Sequence, residues 1–128
     1  MIILLMVLSL MSNGVAQNDF VEYDKGYELF QKTKRPLVIV ITSKSCQHCG
    51  PMKAELVKIK EDYPEFILCE MDYKFVQKHF DFIDLNRGVP QTFMYAFDNE
   101  RGTITRFPVL VGRTTKDNIY KKWGIPSP

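Results

Sequence analysis

The stretch "RPLVIVIT", residues 35 to 42, constrains the fold more than any other. Its apolar residues, Leu37 to Ile41, are consecutive and mostly β-branched, the pattern of a strand covered on both faces. A strand of that kind belongs in the middle of a sheet with helices above and below it. "EFILCEMD" (65–72) reads as a second buried strand, and "QTFMYAF" and "TITRFPV" flank the turn residues "DNERG" as an antiparallel hairpin. Four stretches between and around the strands carry helical spacing. Val21 to Lys34 puts Tyr23, Tyr27 and Phe30 on one face, and the helix that the Cys-x-x-Cys of Cys46 and Cys49 opens sets Met52, Leu56 and Ile59 opposite Lys53, Lys58 and Lys60. Pro51 fits there because the first turn of a helix loses no backbone donor. "YKFVQKHFDFIDL" (73–85) reads as a third amphipathic helix with Val76, Phe80 and Ile83 in register, and "TTKDNIYKKW" as a closing helix capped by Thr114 or Thr115, with Asp117 in its first turn. The class is α/β, a central mixed β-sheet with helices on both faces.

A chain of 128 residues is long enough for one domain with a real core and short for two. With a formal charge of +2 and its Lys and Arg scattered, it has no basic tract of the kind that grips nucleic acid. The first sixteen residues, "MIILLMVLSLMSNGVA", differ from the rest. An apolar run from Ile2 to Met11, broken only by Ser9, leads to the small residues Gly14 and Ala16, as in a secretory signal cleaved after Ala16. The run is too short for a spanning helix of about 20 residues, and no cysteine follows to take a lipid. The expected division is therefore a signal peptide, 1–16, and one domain, 17–128, with no stable membrane insertion after cleavage. The alternatives are an uncleaved anchor or an apolar first element of the fold. Export, to a periplasm or the extracellular space, puts the domain where disulfide chemistry is at home.

Residues 45 to 53 read "SCQHCGPMK". A Cys-x-x-Cys at the junction of a strand and a helix suits a redox centre, a structural disulfide or half of a zinc site. For the first, Cys46 lies where free helix N–H groups and the dipole favour a thiolate, and Cys49, one turn further in, can resolve a mixed disulfide. A structural zinc needs four ligands, and the other candidates are His48, His79 and Cys69, the last inside an apolar strand. An inert bridge across so small a loop would restrict the unfolded chain little.

Taken in order, the strand, "CQHCGPMK", the later "GVPQTF", the hairpin and the "VGR" before the last helix resemble the thioredoxin family over about Val21 to Trp123. The Cys-x-x-Cys is a weak signal alone; with a Val-Pro some forty residues later, just before a strand, it becomes specific. The resemblance implies the thioredoxin fold and a thiol–disulfide oxidoreductase, acting as a monomer on protein thiols and disulfides with a separate redox partner and no metal or organic cofactor. It implies a cis proline at Pro90, with Val89 and Pro90 facing the disulfide to receive substrate backbone and Gly112 in the loop beside them. The competing class is a thioredoxin-fold binding module whose disulfide is only structural.

The departures are as informative. Members with general reductase activity often carry a tryptophan where this chain has Ser45, and a buried acid where it has Val40. Gln47 and His48 stand between the cysteines, and a histidine before the second cysteine is similar to the disulfide-introducing oxidases and isomerases of this fold. "GVPQTF" itself looks like the exported reductases that serve cytochrome maturation. A charge or hydrogen bond from His48 to the Cys46 thiolate would stabilise the dithiol and make the disulfide more oxidising. Glu70 is expected either toward the helix of Cys49, as a proton relay, or in solvent. Cys69 is expected in the core. So are Phe75, Phe80, Phe82, Phe93, Tyr95 and Phe97.

Overall fold

All six residues of the strand Leu37–Thr42 are buried, and the reason is its position. In the computed structural model, which describes residues 19–128, this strand lies parallel to Ile67–Asp72 on one side and antiparallel to Gln91–Asp98 on the other. The expected signal peptide, 1–16, lies outside the described residues. The chain runs β1 (Phe20–Glu22), α1 (Tyr23–Thr33), β2 (Leu37–Thr42), α2 (Cys49–Asp62), β3 (Ile67–Asp72), α3 (Val76–His79), β4 (Gln91–Asp98), β5 (Thr103–Arg106), β6 (Leu110–Val111) and α4 (Lys116–Trp123). Strand order is β1-β3-β2-β4-β5, with β6 pairing β4. Among the described residues no helix is long and apolar enough to cross a membrane.

Alternation along β2 and β3 divides the core in two. Val38, Val40 and Leu68 point to one face, where Met52, Leu56 and Ile59 of α2 and Ile119, Tyr120 and Trp123 of α4 cover them. Leu37, Ile39, Ile41, Cys69 and Met71 point to the other, against Phe30 of α1, Val76 of α3 and Phe93 of β4. Each such aliphatic side chain contributes about 1.5–3 kcal/mol relative to exposure, so the central strand is the main anchor of both layers. On α1, Gly26 lets the helix close on the sheet: a Cβ there would stand 2.9 Å from Cys69 Cβ and 3.2 Å from a Leu37 methyl. α4 begins at Thr115, whose hydroxyl accepts the Asn118 N–H. Its Tyr120 hydroxyl donates to Asp62 of α2 at 2.6 Å, and Lys116 Nζ lies 3.0 Å from the same carboxylate.

The mixed sheet covered on both faces is the architecture expected, and three stretches differ from the sequence reading. β1 is a three-residue edge strand paired to β3, too short to show a period. The expected helix over 73–85 is a 3-10 turn (Tyr73–Phe75) and the single turn α3, after which Phe80 is extended. Its rings explain the break. Phe80 and Phe82 both meet Phe93 edge-on, each at 5.0 Å, and residues two apart share a side in an extended chain but not in a helix. Val76, Phe80 and Ile83 are nonetheless buried. "TITRFPV" is not one strand either. β5 ends at Arg106, Pro108 offers no donor to a ladder, and the chain returns as β6 to pair Leu110 and Val111 with Thr92 and Gln91. Of the aromatic residues expected in the core, Phe75 is the exception, 52% exposed.

Candidate active site

β2 ends at Thr42 and delivers a short loop to the start of α2. In that loop the Cys46 N–H donates to the Ser43 carbonyl at 3.3 Å, and the Met52 N–H donates to the His48 carbonyl at 3.1 Å. Cys46 and Cys49 are joined by a disulfide, with their Cα atoms 5.5 Å apart. The two sulfur-bearing residues differ in access. Cys46 is partly exposed and Cys49 buried at 5%. Cys49 is the first residue of a 14-residue helix with no acid in its first turn, so no fixed negative charge offsets the positive helix end beside Cys46. His48 is the N-cap residue. Its side chain is exposed and makes no capping bond.

A second loop stands across from the first. The Val89–Pro90 bond is cis, Pro90 is buried, and its carbonyl accepts the Gly112 N–H at 2.8 Å. Gly112 has φ of +85°, a left-handed conformation that favours glycine. Gln91, buried directly after Pro90, donates from Nε2 to the carbonyls of Asp84 and Gly88, each at 2.8 Å, and so ties down the segment that leads into Val89. Among the described residues the N–H and C=O of Val89 have no hydrogen-bond partner. A groove of about 220 Å³ runs between the loops, lined by Ser43, Ser45, Tyr73, Leu85, Gly88 and Val89.

Glu70 lies in register beside Val40 on β2, and alternation with Leu68 turns it to the α2 face. Its carboxylate accepts from Lys53 Nζ and from the Thr42 hydroxyl, both at 2.7 Å. Lys53 is four residues beyond Cys49 on the same helix, hence one turn along the same side, and its ammonium also stands 4.9 Å from the Phe20 ring centre. The pair is about one-third exposed. Thus a carboxylate sits on the strand next to Val40, tied to the helix that carries Cys49.

Cys69 points the other way. It is fully buried, and burial, with the neighbouring Glu70 charge adding to it, pushes its thiol well above the ordinary range. The structure sets the loop of Cys46, His48 and Cys49 across a groove from the loop of Val89 and Pro90, bonds Gly112, in a third segment after β6, to Pro90, and leaves Cys69 out. Among the described residues no three His, Cys, Asp or Glu side chains are grouped so as to hold a metal ion. Sequence reasoning missed Gln91, Lys53 and Thr42. The available signals were a glutamine directly after the Val-Pro and a lysine one turn from Cys49.

No family model matches the chain, and no curated protein matches its sequence. Solved structures match its fold. The oxidised mitochondrial thioredoxin 3 of Saccharomyces cerevisiae superposes with a TM-score of 0.59 at 15% identity, over 85% of this chain and 97% of that one. A thioredoxin from Thermus thermophilus gives 0.59 at 14% identity over 82% and 83%. The thioredoxin of Trichomonas vaginalis gives 0.56 at 13% over 83% and 90%. The fold is therefore the thioredoxin fold.

Proposed function

We propose that this chain is a thiol–disulfide oxidoreductase that exchanges disulfides with protein substrates through its Cys46-Gln47-His48-Cys49 centre. The observation that carries the reading is the bonded pair at the start of α2, its outer cysteine partly open and its inner one buried. In the reducing direction the Cys46 thiolate attacks a substrate disulfide, forming a mixed disulfide and releasing one substrate thiolate. Cys49, once deprotonated, attacks the Cys46 sulfur, closes the Cys46–Cys49 bond and releases the second thiolate; two electrons have passed to the substrate. Oxidation of a substrate dithiol is the same sequence reversed.

The free backbone groups of Val89, held by the Gln91 and Gly112 bonds, support a role for the Val89–Pro90 loop in receiving substrate backbone. Glu70 is proposed to take the Cys49 proton, directly or through one water, in place of the acid that Val40 does not supply. His48, exposed beside the pair, is proposed to favour the Cys46 thiolate and so to bias the centre toward oxidation. The apolar run at 2–11 supports an exported site of action for the domain.

Trapping tests the reading. Mixed with a disulfide-bonded protein, reduced Cys49→Ser should accumulate a covalent adduct through Cys46, whereas Cys46→Ser should form none and turn nothing over. A wild-type bridge that resists mild reductant, with no adduct in Cys49→Ser, would instead identify a structural disulfide in a binding module.

A further inference from the structure

A row of paired residues crosses the sheet beneath the start of α2. Glu70 of β3 pairs with Val40 of β2, Val40 with Thr92 of β4, and Thr92 with Leu110 of β6. Val40, Leu110 and Met94, two residues beyond Thr92, belong to the layer covered by α2, so alternation turns the Thr92 side chain into that layer as well. Thr92 is fully buried, and among the described residues its hydroxyl is the one buried side-chain nitrogen or oxygen with no hydrogen-bond partner. A group of that kind is unfavourable unless something in the working cycle pairs with it. Its surroundings in the layer, Val40, Met94 and Leu110 on the strands and Met52 and Leu56 on α2, are apolar, and the Thr42 hydroxyl is already engaged by Glu70.

One group at this end changes its bonding with redox state. α2 turns back over the sheet after a short loop, so its first turn covers the rows where β2 stops and β4 starts. Cys49 opens the buried stripe of α2 that continues through Met52 and Leu56. In the bridge its sulfur is uncharged and bonded to Cys46; after reduction it is a thiol that must become a thiolate to resolve a mixed disulfide. We propose that the Thr92 hydroxyl donates a hydrogen bond to the Cys49 sulfur of the reduced centre and thereby favours the thiolate that attacks Cys46. The inference rests on the redox reading above and adds to it a group on the β4 side of Val40, opposite Glu70. Thr92 keeps its own proton. The Cys49 proton leaves to Glu70 or to solvent, the Cys49 sulfur forms its bond to Cys46 with its own electron pair, and the substrate sulfur departs with the pair of the broken bond. A hydrogen bond to the charged form favours that form, and a buried donor to an anion is strong because no water competes with it.

Thr92→Val keeps the shape and removes the donor, whereas Thr92→Ser keeps the donor. With a mixed disulfide formed between Cys46 and a disulfide-linked peptide, resolution by Cys49 at neutral pH should slow about tenfold in Thr92→Val, the order of one hydrogen bond to a charged group. The pH profile of that step should move up by about one unit, attack by Cys46 should be unchanged, and Thr92→Ser should return both rate and profile toward wild type. The charged groups on the surrounding elements, Lys53 of α2, Glu70 of β3, Lys116 of α4 and His48 and Arg113 of the loops, are the same in all three proteins. Urea unfolding gives a second readout: Thr92→Val should raise the midpoint of the oxidised protein, where the hydroxyl is unpaired, by more than that of the reduced protein. A resolution profile that Thr92→Val leaves unmoved, or midpoints that shift equally in both redox states, would overturn the inference and leave the redox reading standing. Failure of any mixed disulfide to form at Cys46 would defeat the redox reading, and this inference with it.

Discussion

Cys69 and Glu70 are neighbours in β3 and face opposite sides of the sheet, and the two sides are built differently. Behind Cys69 everything is closed: α1 rests on it through Gly26, its thiol is buried, and the aromatic layer of Phe30, Phe80 and Phe93 continues from it. On the Glu70 side the apolar layer of Val38, Val40 and Leu68 gives way at the strand ends to Thr42, which is buried, and to Glu70, which is one-third open to water and tied through Lys53 to the helix of Cys49. The lesson is that one strand serves two ends. Its odd side holds the domain together, and its even side carries a carboxylate bonded to Lys53 on the helix that begins at Cys49.

The difference can be broken most severely on the closed side. Gly26→Val would drive a branched side chain into Cys69 Cβ and Leu37. Overpacking of that kind costs about 1–3 kcal/mol, so the urea midpoint should fall well below wild type while the exchange rate of the folded fraction is kept. On the open side the order reverses. Glu70→Gln should slow resolution of the Cys46 mixed disulfide by about tenfold or more, as loss of a general base does, leave attack by Cys46 unchanged, and move stability by less than about 1 kcal/mol, because the Lys53 pair is partly solvated. Stopped-flow resolution rates across neutral pH decide this; equal rates would return Glu70 to a structural role.

The smallest effect lies on the surface between α2 and α4. The Tyr120 hydroxyl, and after it Lys116, holds the Asp62 carboxyl below its ordinary value. A folded value below the unfolded one, about 3.9, means stability that is present above the unfolded value and is lost as pH falls through the folded one. Asp62→Asn should therefore differ from wild type most at neutral pH and converge with it in strong acid. A gap in unfolding midpoints that is constant with pH would show that the charge contributes nothing.

Much of this layout is legible in the residues. The unbroken run at 37–41 could only be a central strand, and Cys46, Cys49 and the Val89–Pro90 segment stand out by type and spacing. The orientation of Glu70 does not, because alternation along β3 does not say which of its two sides faces the helix of Cys49. Register against Val40 supplies it. Residues 73–85 mislead for another reason: Val76, Phe80 and Ile83 fit a helical period by coincidence, while Phe80 and Phe82 are aligned on Phe93 by an extended chain. Gln91 is invisible as a loop anchor because its two acceptors are backbone carbonyls, which no residue type announces.

The most direct measurement is competitive alkylation of the reduced, folded domain at mildly acidic pH, read site by site by mass spectrometry. Cys46 should react first, being partly exposed at the helix start; Cys49 should follow slowly, and Cys69, buried with its thiol pushed up, only after unfolding. Preferential labelling of Cys49, or labelling of Cys69 in the folded protein at a rate matching Cys46, would contradict the assignment of Cys46 as the attacking sulfur.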